Sequence, residues 1–130
     1  MIGIDSSILI DLLRKKISPQ VFKSYETEEL CTTEIVVYEI FKGIFQLSAN
    51  VDKKIAEFNA VLDSFGHVFS IDRKAVLKAA EIKGNLVKSG KTVDDPDVLI
   101  AGSLLANGCT KFLTKNKKDF ENIKELVLIE

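Results

Sequence analysis

The sequence predicts a three-layer α/β/α fold with a five-stranded, mainly parallel sheet, and three observations point to it. Five short apolar runs alternate with longer stretches of helical periodicity, the pattern of strands joined by crossover helices. Proline and glycine are sparse, at 2 and 7 of 130 residues, and no repeat, linker or low-complexity tract interrupts the chain. One domain spanning residues 1–130 is therefore expected. The composition, 46% apolar and 28% charged, is that of an ordinary globular chain, large enough to bury a core without disulfides or a structural metal. Right-handed crossovers would place helices on both faces of the sheet.

The elements follow in order. Met1–Ile4 reads as a buried strand, and Ser6–Arg14 as a helix with Ile8, Leu9, Leu12 and Leu13 at helical spacing. Pro19 opens a short helix through Phe22 and Tyr25, because proline suits a first turn whose N–H groups lack partners. Leu30–Thr32 is a second strand. Thr33–Leu47 is a helix apolar almost all round, with Ile35, Val36, Val37, Tyr38, Ile40, Phe41, Ile44 and Phe45, so it is either central or shared with a partner chain. Val51–Ser64 continues as helix, and Val68–Ile71 is a third strand. Asp72 is expected to cap a helix reaching about Lys88, with Gly90 ending it. Asp95 is expected to cap the next, with Pro96 at its first position; this helix runs to Ala106 and stops at Asn107-Gly108. Lys111–Thr114 is a fourth strand, Asn116–Phe120 a helical turn and Leu126–Ile129 a fifth strand.

Several function classes drop out. A formal net charge of −1 leaves no global basic field, so a nucleic-acid partner would need local lysine clusters or bound metal. No apolar run approaches the ~20 residues that span a bilayer, and Met1-Ile2-Gly3-Ile4-Asp5 lacks the basic start of a signal peptide, so a cytoplasmic location is expected. Cys31 and Cys109 lie far apart in sequence with no CxxC, and two buried reduced thiols are expected rather than a zinc site. The single histidine, His67, sits in an apolar segment and reads as structural; it leaves no room for two-histidine acid–base chemistry.

Acidic residues follow the strands, where open parallel sheets place their sites. Asp5 directly follows the first strand, and Thr114, Asn116 and Asp119 follow the fourth. Asp97 opens the helix that leads into that fourth strand, and Glu39 lies inside the apolar helix after the second. Each acid has a simpler local reading. Asp5 could be an N-cap, Asp97 could complement the helix dipole, Asn116 with Asp119 resembles a capping box, and Glu39 could pair with Lys42. Glu39 is the oddest, because Ile35 and Val36 lie one turn back and a carboxylate among them is costly unless paired or metal-bound. Four carboxylates at one end of one sheet repel one another, and a hard divalent cation such as Mg²⁺ or Mn²⁺ relieves that repulsion.

These residues resemble the motifs of PIN-domain nucleases. Ile4-Asp5-Ser6-Ser7-Ile8-Leu9 is similar to the N-terminal motif, Tyr38-Glu39-Ile40-Phe41-Lys42-Gly43 to the glutamate motif, Asp97-Val98-Leu99-Ile100-Ala101 to the third, and Thr114-Lys115-Asn116-Lys117-Lys118-Asp119-Phe120 to the fourth. Gly102 stands where the third motif usually has a second alanine, a departure expected to matter little because both are small. The nearest subgroup is the short VapC-like toxins of type II toxin–antitoxin pairs. The resemblance implies a divalent-metal-dependent endoribonuclease in which Asp5, Glu39, Asp97 and Asp119 hold one or two Mg²⁺ or Mn²⁺ ions. It makes Ser6, Thr114 and Asn116 supporting or substrate-contacting residues. It further implies an RNA substrate, a small antitoxin protein that occupies the active groove, and a homodimer.

The residues themselves add two expectations. Lys111, Lys115, Lys117 and Lys118 cluster in sequence around the fourth strand, so one or two of them, Lys115 first, are expected to meet substrate phosphates; the simpler reading is a solvated loop. The apolar surplus of Thr33–Leu47, with Val51–Ser64, is expected to support self-association. Two rival readings remain at this point: a receiver-like signalling module with Asp72 as phosphoacceptor, and a catalytically silent PIN domain that only binds. Retention of all four acids weighs against the silent domain.

Overall fold

In the computed structural model, which describes residues 1–129, the strands are β1 (Ile2–Ile4), β2 (Leu30–Thr33), β3 (His67–Phe69), β4 (Lys111–Leu113) and β5 (Val127–Ile129). The helices are α1 (Ser6–Leu13), α2 (Glu34–Leu47), α3 (Val51–Asp63), α4 (Arg73–Lys88), α5 (Asp95–Ala106) and α6 (Lys117–Phe120), and a 3-10 helix covers Pro19–Tyr25. All four strand pairings are parallel, in the order β3-β2-β1-β4-β5. The chain therefore builds outward from β1 to β3, returns through α4 and α5, and resumes on the other side of β1. That reversal leaves a crevice between the carboxyl ends of β1 and β4, the place where open α/β sheets bind ligands.

The elements match those expected from the sequence, with shifts at their ends that have physical causes. β3 is His67–Phe69 rather than Val68–Ile71, because its partner β2 ends at Thr33 and the last available pair is Thr33 with Phe69. Asp94, not Asp95, occupies the N-cap position of α5, without a side-chain capping bond: proline is tolerated throughout a first turn, and the first full helical bond runs from the Val98 N–H to the Asp94 carbonyl at 3.1 Å. Asp72 caps α4 as expected, its side chain accepting from the Ala75 N–H at 3.0 Å. Gly90, at φ 70°, ends that helix in the left-handed region.

The core has its centre at α5 rather than at α2. α5 buries Val98, Ile100, Ala101, Gly102, Ser103 and Leu104, and the Ser103 hydroxyl is satisfied by the Leu99 carbonyl at 2.8 Å. α2 buries one stripe, Val36, Val37, Ile40 and Ile44, and leaves Tyr38, Phe45 and Leu47 62%, 64% and 74% exposed. Of the two alternatives for this helix, a central place is thus excluded. Gly102 is not a neutral stand-in for alanine. A Cβ there would stand 2.7 Å from both the Cβ and the backbone nitrogen of Ala79, so the glycine permits the backbone contact between α4 and α5.

Two further expectations change. Cys31 and Cys109 are buried free thiols as expected, yet the sheet brings their Sγ atoms to 3.4 Å. His67 is exposed rather than enclosed in apolar surroundings: it pairs with Glu29 at 3.2 Å and stacks on Phe69, centroids 5.4 Å apart. Among the described residues no helix is long and apolar enough to cross a membrane.

Candidate metal centre

Asp5 leaves β1 at the crevice, its N–H bonded to the Leu113 carbonyl at 3.0 Å, and is 3% exposed. It occupies the N-cap position of α1, but its carboxylate makes no capping bond. The carboxylate is held by hydroxyls instead. Thr114 Oγ1 donates to Oδ2 at 2.6 Å, Ser7 Oγ to the same oxygen at 3.2 Å, and Ser6 Oγ reaches Oδ1 at 3.5 Å. The hydroxyls are themselves oriented by backbone. The Lys115 N–H donates to Ser7 Oγ and the Asn116 N–H to Thr114 Oγ1, each at 3.0 Å. Because those lone pairs are engaged, the hydroxyl protons are directed onto Asp5. Burial pushes the Asp5 carboxyl above its ordinary range even so, and the hydrogen bonds only partly offset it.

Glu39 projects from α2 into the same region. Its Oε1 is buried with no hydrogen-bond partner, an arrangement that costs free energy in a folded protein. The expected pairing with Lys42 does not form; that ammonium sits over the Tyr38 ring, 5.6 Å from its centroid. The Glu39 carboxyl is pushed up to about 7, first by burial and then by the charges of Asp5 and Asp97, against a smaller pull from Lys42 and Ser6. Asp97, in the first turn of α5, is pushed up to about 6 by burial and by Asp119, Asp5 and Asp94. Asp119 is exposed on α6, its N–H bonded to the Asn116 carbonyl at 3.0 Å; Asn116 is exposed at the N-cap, and its side chain makes no capping bond. The capping-box reading is therefore not met. Among the described residues none of these four acids forms an ion pair with a lysine or arginine, and each of Glu39 and Asp97 feels the charge of at least one other.

The lysines do not stay together. Lys115, Lys117 and Lys118 line a shallow depression with Asn116 and Asp119. Lys111 lies at the opposite end of the sheet, paired with Glu28 at 2.7 Å, so the sequence cluster does not survive folding. The ammonium of Lys115 is committed to Asp11 on α1. A mainly apolar groove between α1 and α2 is walled by Ile10, Leu13, Ile40, Ile44 and Leu47, with Glu39, Arg14 and Lys54 also lining it.

A family match spans residues 2–126, almost the whole described chain. The chain belongs to the PIN domain family. This PIN domain is 29% identical over 125 residues to Ribonuclease VapC1 of Methanocaldococcus jannaschii, covering 96% of this chain and 82% of that one. It is 29% identical over 127 residues to Ribonuclease VapC of Rickettsia bellii, covering 97% and 92%. Its fold superimposes with a TM-score of 0.85, at 20% identity and over 99% and 98% of the two chains, on a chain of VapBC2 from Rickettsia felis, solved bound to a promoter DNA fragment. The strand order separates this PIN domain from the receiver-like rival, whose sheet runs 2-1-3-4-5. Asp72, the would-be phosphoacceptor, follows an edge strand here and is spent as a cap.

The donor set fits a hard divalent cation. It consists of carboxylate oxygens, one of them buried without a partner, that raise one another's pKa. Among the described residues no three such side chains stand close enough to enclose an ion unaided. Such a centre suits Mg²⁺ or Mn²⁺, which commonly take one or two protein carboxylates and keep waters and substrate oxygens as the remaining ligands. Sequence reading missed Ser7, the hydroxyl that joins Asp5 to the loop after β4, although its place two residues past Asp5 was visible. It also missed Asp94, whose charge acts on Asp97, and Asp11.

Proposed function

We propose that this protein is a divalent-metal-dependent endoribonuclease and the toxin member of a toxin–antitoxin pair, with Asp5, Glu39, Asp97 and Asp119 holding one or two Mg²⁺ or Mn²⁺ ions. The observation that carries the reading is the convergence of the acids at the sheet's switch point, with no lysine or arginine ion pair to them among the described residues and with Glu39 Oε1 buried and unsatisfied. The ion would supply an activated water and a counter-charge for the phosphoryl oxygens. The chain's own residues do the rest. Ser6, Ser7 and Thr114 fix both oxygens of Asp5, so the carboxylate meets its ion with little freedom to lose. Asn116, exposed beside Asp119, is placed to donate its amide to a substrate oxygen, and Lys117 and Lys118 supply positive charge for an RNA backbone.

The ribonuclease names of the relatives support the activity, and the VapC-like motifs support the toxin role. The apolar groove that Glu39 helps line supports a partner segment: an antitoxin lying in it would cover Glu39. The exposed Tyr38, Phe45 and Leu47 of α2 support a homodimer, and the cytoplasm is the compartment this reading requires. The test is cleavage of a mixed single-stranded RNA with Mg²⁺ or Mn²⁺, with and without chelator, beside Asp5→Asn. Chelator-sensitive cutting that Asp5→Asn abolishes is expected. Cutting retained by Asp5→Asn would refute the assignment of the site.

A further inference from the structure

The loop that follows β4 is tied to α1 at two points through one residue. The Lys115 N–H donates to Ser7 Oγ at 3.0 Å, and the Lys115 ammonium donates to Asp11 Oδ2 at 2.5 Å. Ser7 and Asp11 are four residues apart, one turn along the same face of α1. Lys115 also lies between the two residues that face the acids, Thr114 and Asn116, and the Asn116 N–H orients the Thr114 hydroxyl at 3.0 Å. Asp11 is an odd tenant of its place. It is a carboxylate in the last turn of α1, where the helix dipole disfavours negative charge, and it is only 8% exposed. Lys115, with smaller help from Lys16 and Arg14, keeps its carboxyl below the ordinary range. Helix formation does not account for an acid there; the tie to the loop does.

We propose that Asp11 and Lys115 are a positioning pair that clamps the loop carrying Thr114, Asn116 and Asp119 onto α1, and that the Lys115 ammonium serves as this internal tether rather than as a contact for RNA phosphate. The proposal rests on reading the acids as a metal centre. When the clamp opens, the Ser7 and Thr114 hydroxyls lose the backbone donors that direct their protons onto Asp5, and Asp119 loses its place beside Asp97. The clamp therefore acts on metal binding and turnover through other residues.

The test compares Asp11→Asn, Lys115→Met, the double variant and Lys115→Arg. Mn²⁺ affinity, titrated without RNA, and kcat are expected to fall about 10- to 100-fold in each single variant, as when outer partners of metal ligands are lost. KM is expected to hold, the double variant to be no worse than either single one, and Lys115→Arg to recover most of the loss. Melting temperature should stay within about 3 °C, since the lysine end of the pair is exposed. Hydrogen exchange at the Lys115 and Asn116 amides should quicken in Asp11→Asn. A Lys115→Met protein that binds Mn²⁺ normally but loses about 0.7 from the salt slope of RNA binding, with Asp11→Asn binding RNA more tightly, would overturn the proposal in favour of a phosphate contact. Unchanged amide exchange would overturn it as well. If the wild-type protein binds no Mn²⁺, the metal-centre reading fails, and the exchange measurement still decides whether the clamp exists.

Discussion

The two edges of the sheet treat acidic side chains in opposite ways. At the amino edge Glu28 accepts from the Met1 amine and from Lys111, both at 2.7 Å, and these cations hold its carboxyl down at about 2. Glu29 beside it faces His67. At the carboxyl edge Glu39 and Asp97 are pushed up to about 7 and about 6, and each is burdened by other acids. The same residue types are thus neutralised at the amino edge and left in conflict at Glu39 and Asp97, although Lys115 neutralises Asp11 nearby. A chain that can place Lys111 against Glu28 could place a lysine against Glu39. It instead sets a lysine over the Tyr38 ring and leaves Glu39 Oε1 bare, the contrast on which the proposed metal centre rests.

The comparison can be broken by removing equal charges from the two edges. Glu39→Gln and Asp97→Asn are expected to lower RNA cleavage at least about a thousandfold, because a bound metal contributes several kcal/mol to transition-state stabilisation. Glu28→Gln removes one negative charge from the satisfied edge and is expected to leave cleavage within about twofold, since the ion pairs it loses act on folding alone. Comparable losses in both would dissolve the distinction; initial rates on a labelled RNA read it out.

The pH dependence of stability sharpens it next. The Glu39 carboxyl is raised from 4.5 to about 7 in the folded, metal-free protein, so the folded state keeps a proton that the unfolded chain has released. Its contribution to stability is complete below pH 4.5 and is lost as pH rises through 7; Asp97 adds the same trend between 3.8 and about 6. Glu28 has the opposite sign. Its contribution is present above pH 4.5 and is lost as pH falls toward 2. At pH 8 without metal, Glu39→Gln should therefore raise the melting temperature and Glu28→Gln should lower it. Scanning calorimetry that finds both shifts in the same direction would contradict the account.

The smallest expected effect concerns RNA binding. Alanine at Lys118 on the carboxyl-edge rim should reduce the slope of log affinity against log salt by about 0.7, and alanine at Lys111 on the amino edge should leave it unchanged.

Much of this division was legible in the sequence. The order and type of the elements followed from apolar periodicity together with the proline, capping and glycine signals that opened and closed the Pro19 helix, α4 and α5, and the acids stood out because their residue type clashed with their surroundings, Glu39 most clearly. What stayed hidden was set by tertiary pairing. The shift of β3 depends on where β2 ends. Lys111 sits four residues from Lys115, yet a three-residue strand carries them to opposite edges. The meeting of Cys31 with Cys109 and the closeness of Gly102 to Ala79 require the strand order and the helix crossing, which no local pattern encodes. Ser7 carried no role of its own in the sequence, because its partners in the loop after β4 lie 107 and 108 positions away.

The central claim is that a divalent cation resolves the conflict among the carboxyl-edge acids. The most direct test is the melting temperature of the wild-type and Asp5→Asn proteins at pH 5 and pH 8, with and without Mn²⁺. Binding to the folded state alone adds about 2.7 kcal/mol at a hundred times Kd, and the acids must be deprotonated to bind. The account predicts a Mn²⁺-dependent rise in the wild-type protein at pH 8, a much smaller one at pH 5, and none at either pH in Asp5→Asn. An equal rise in Asp5→Asn, or no rise in the folded wild-type protein at pH 8, would contradict it.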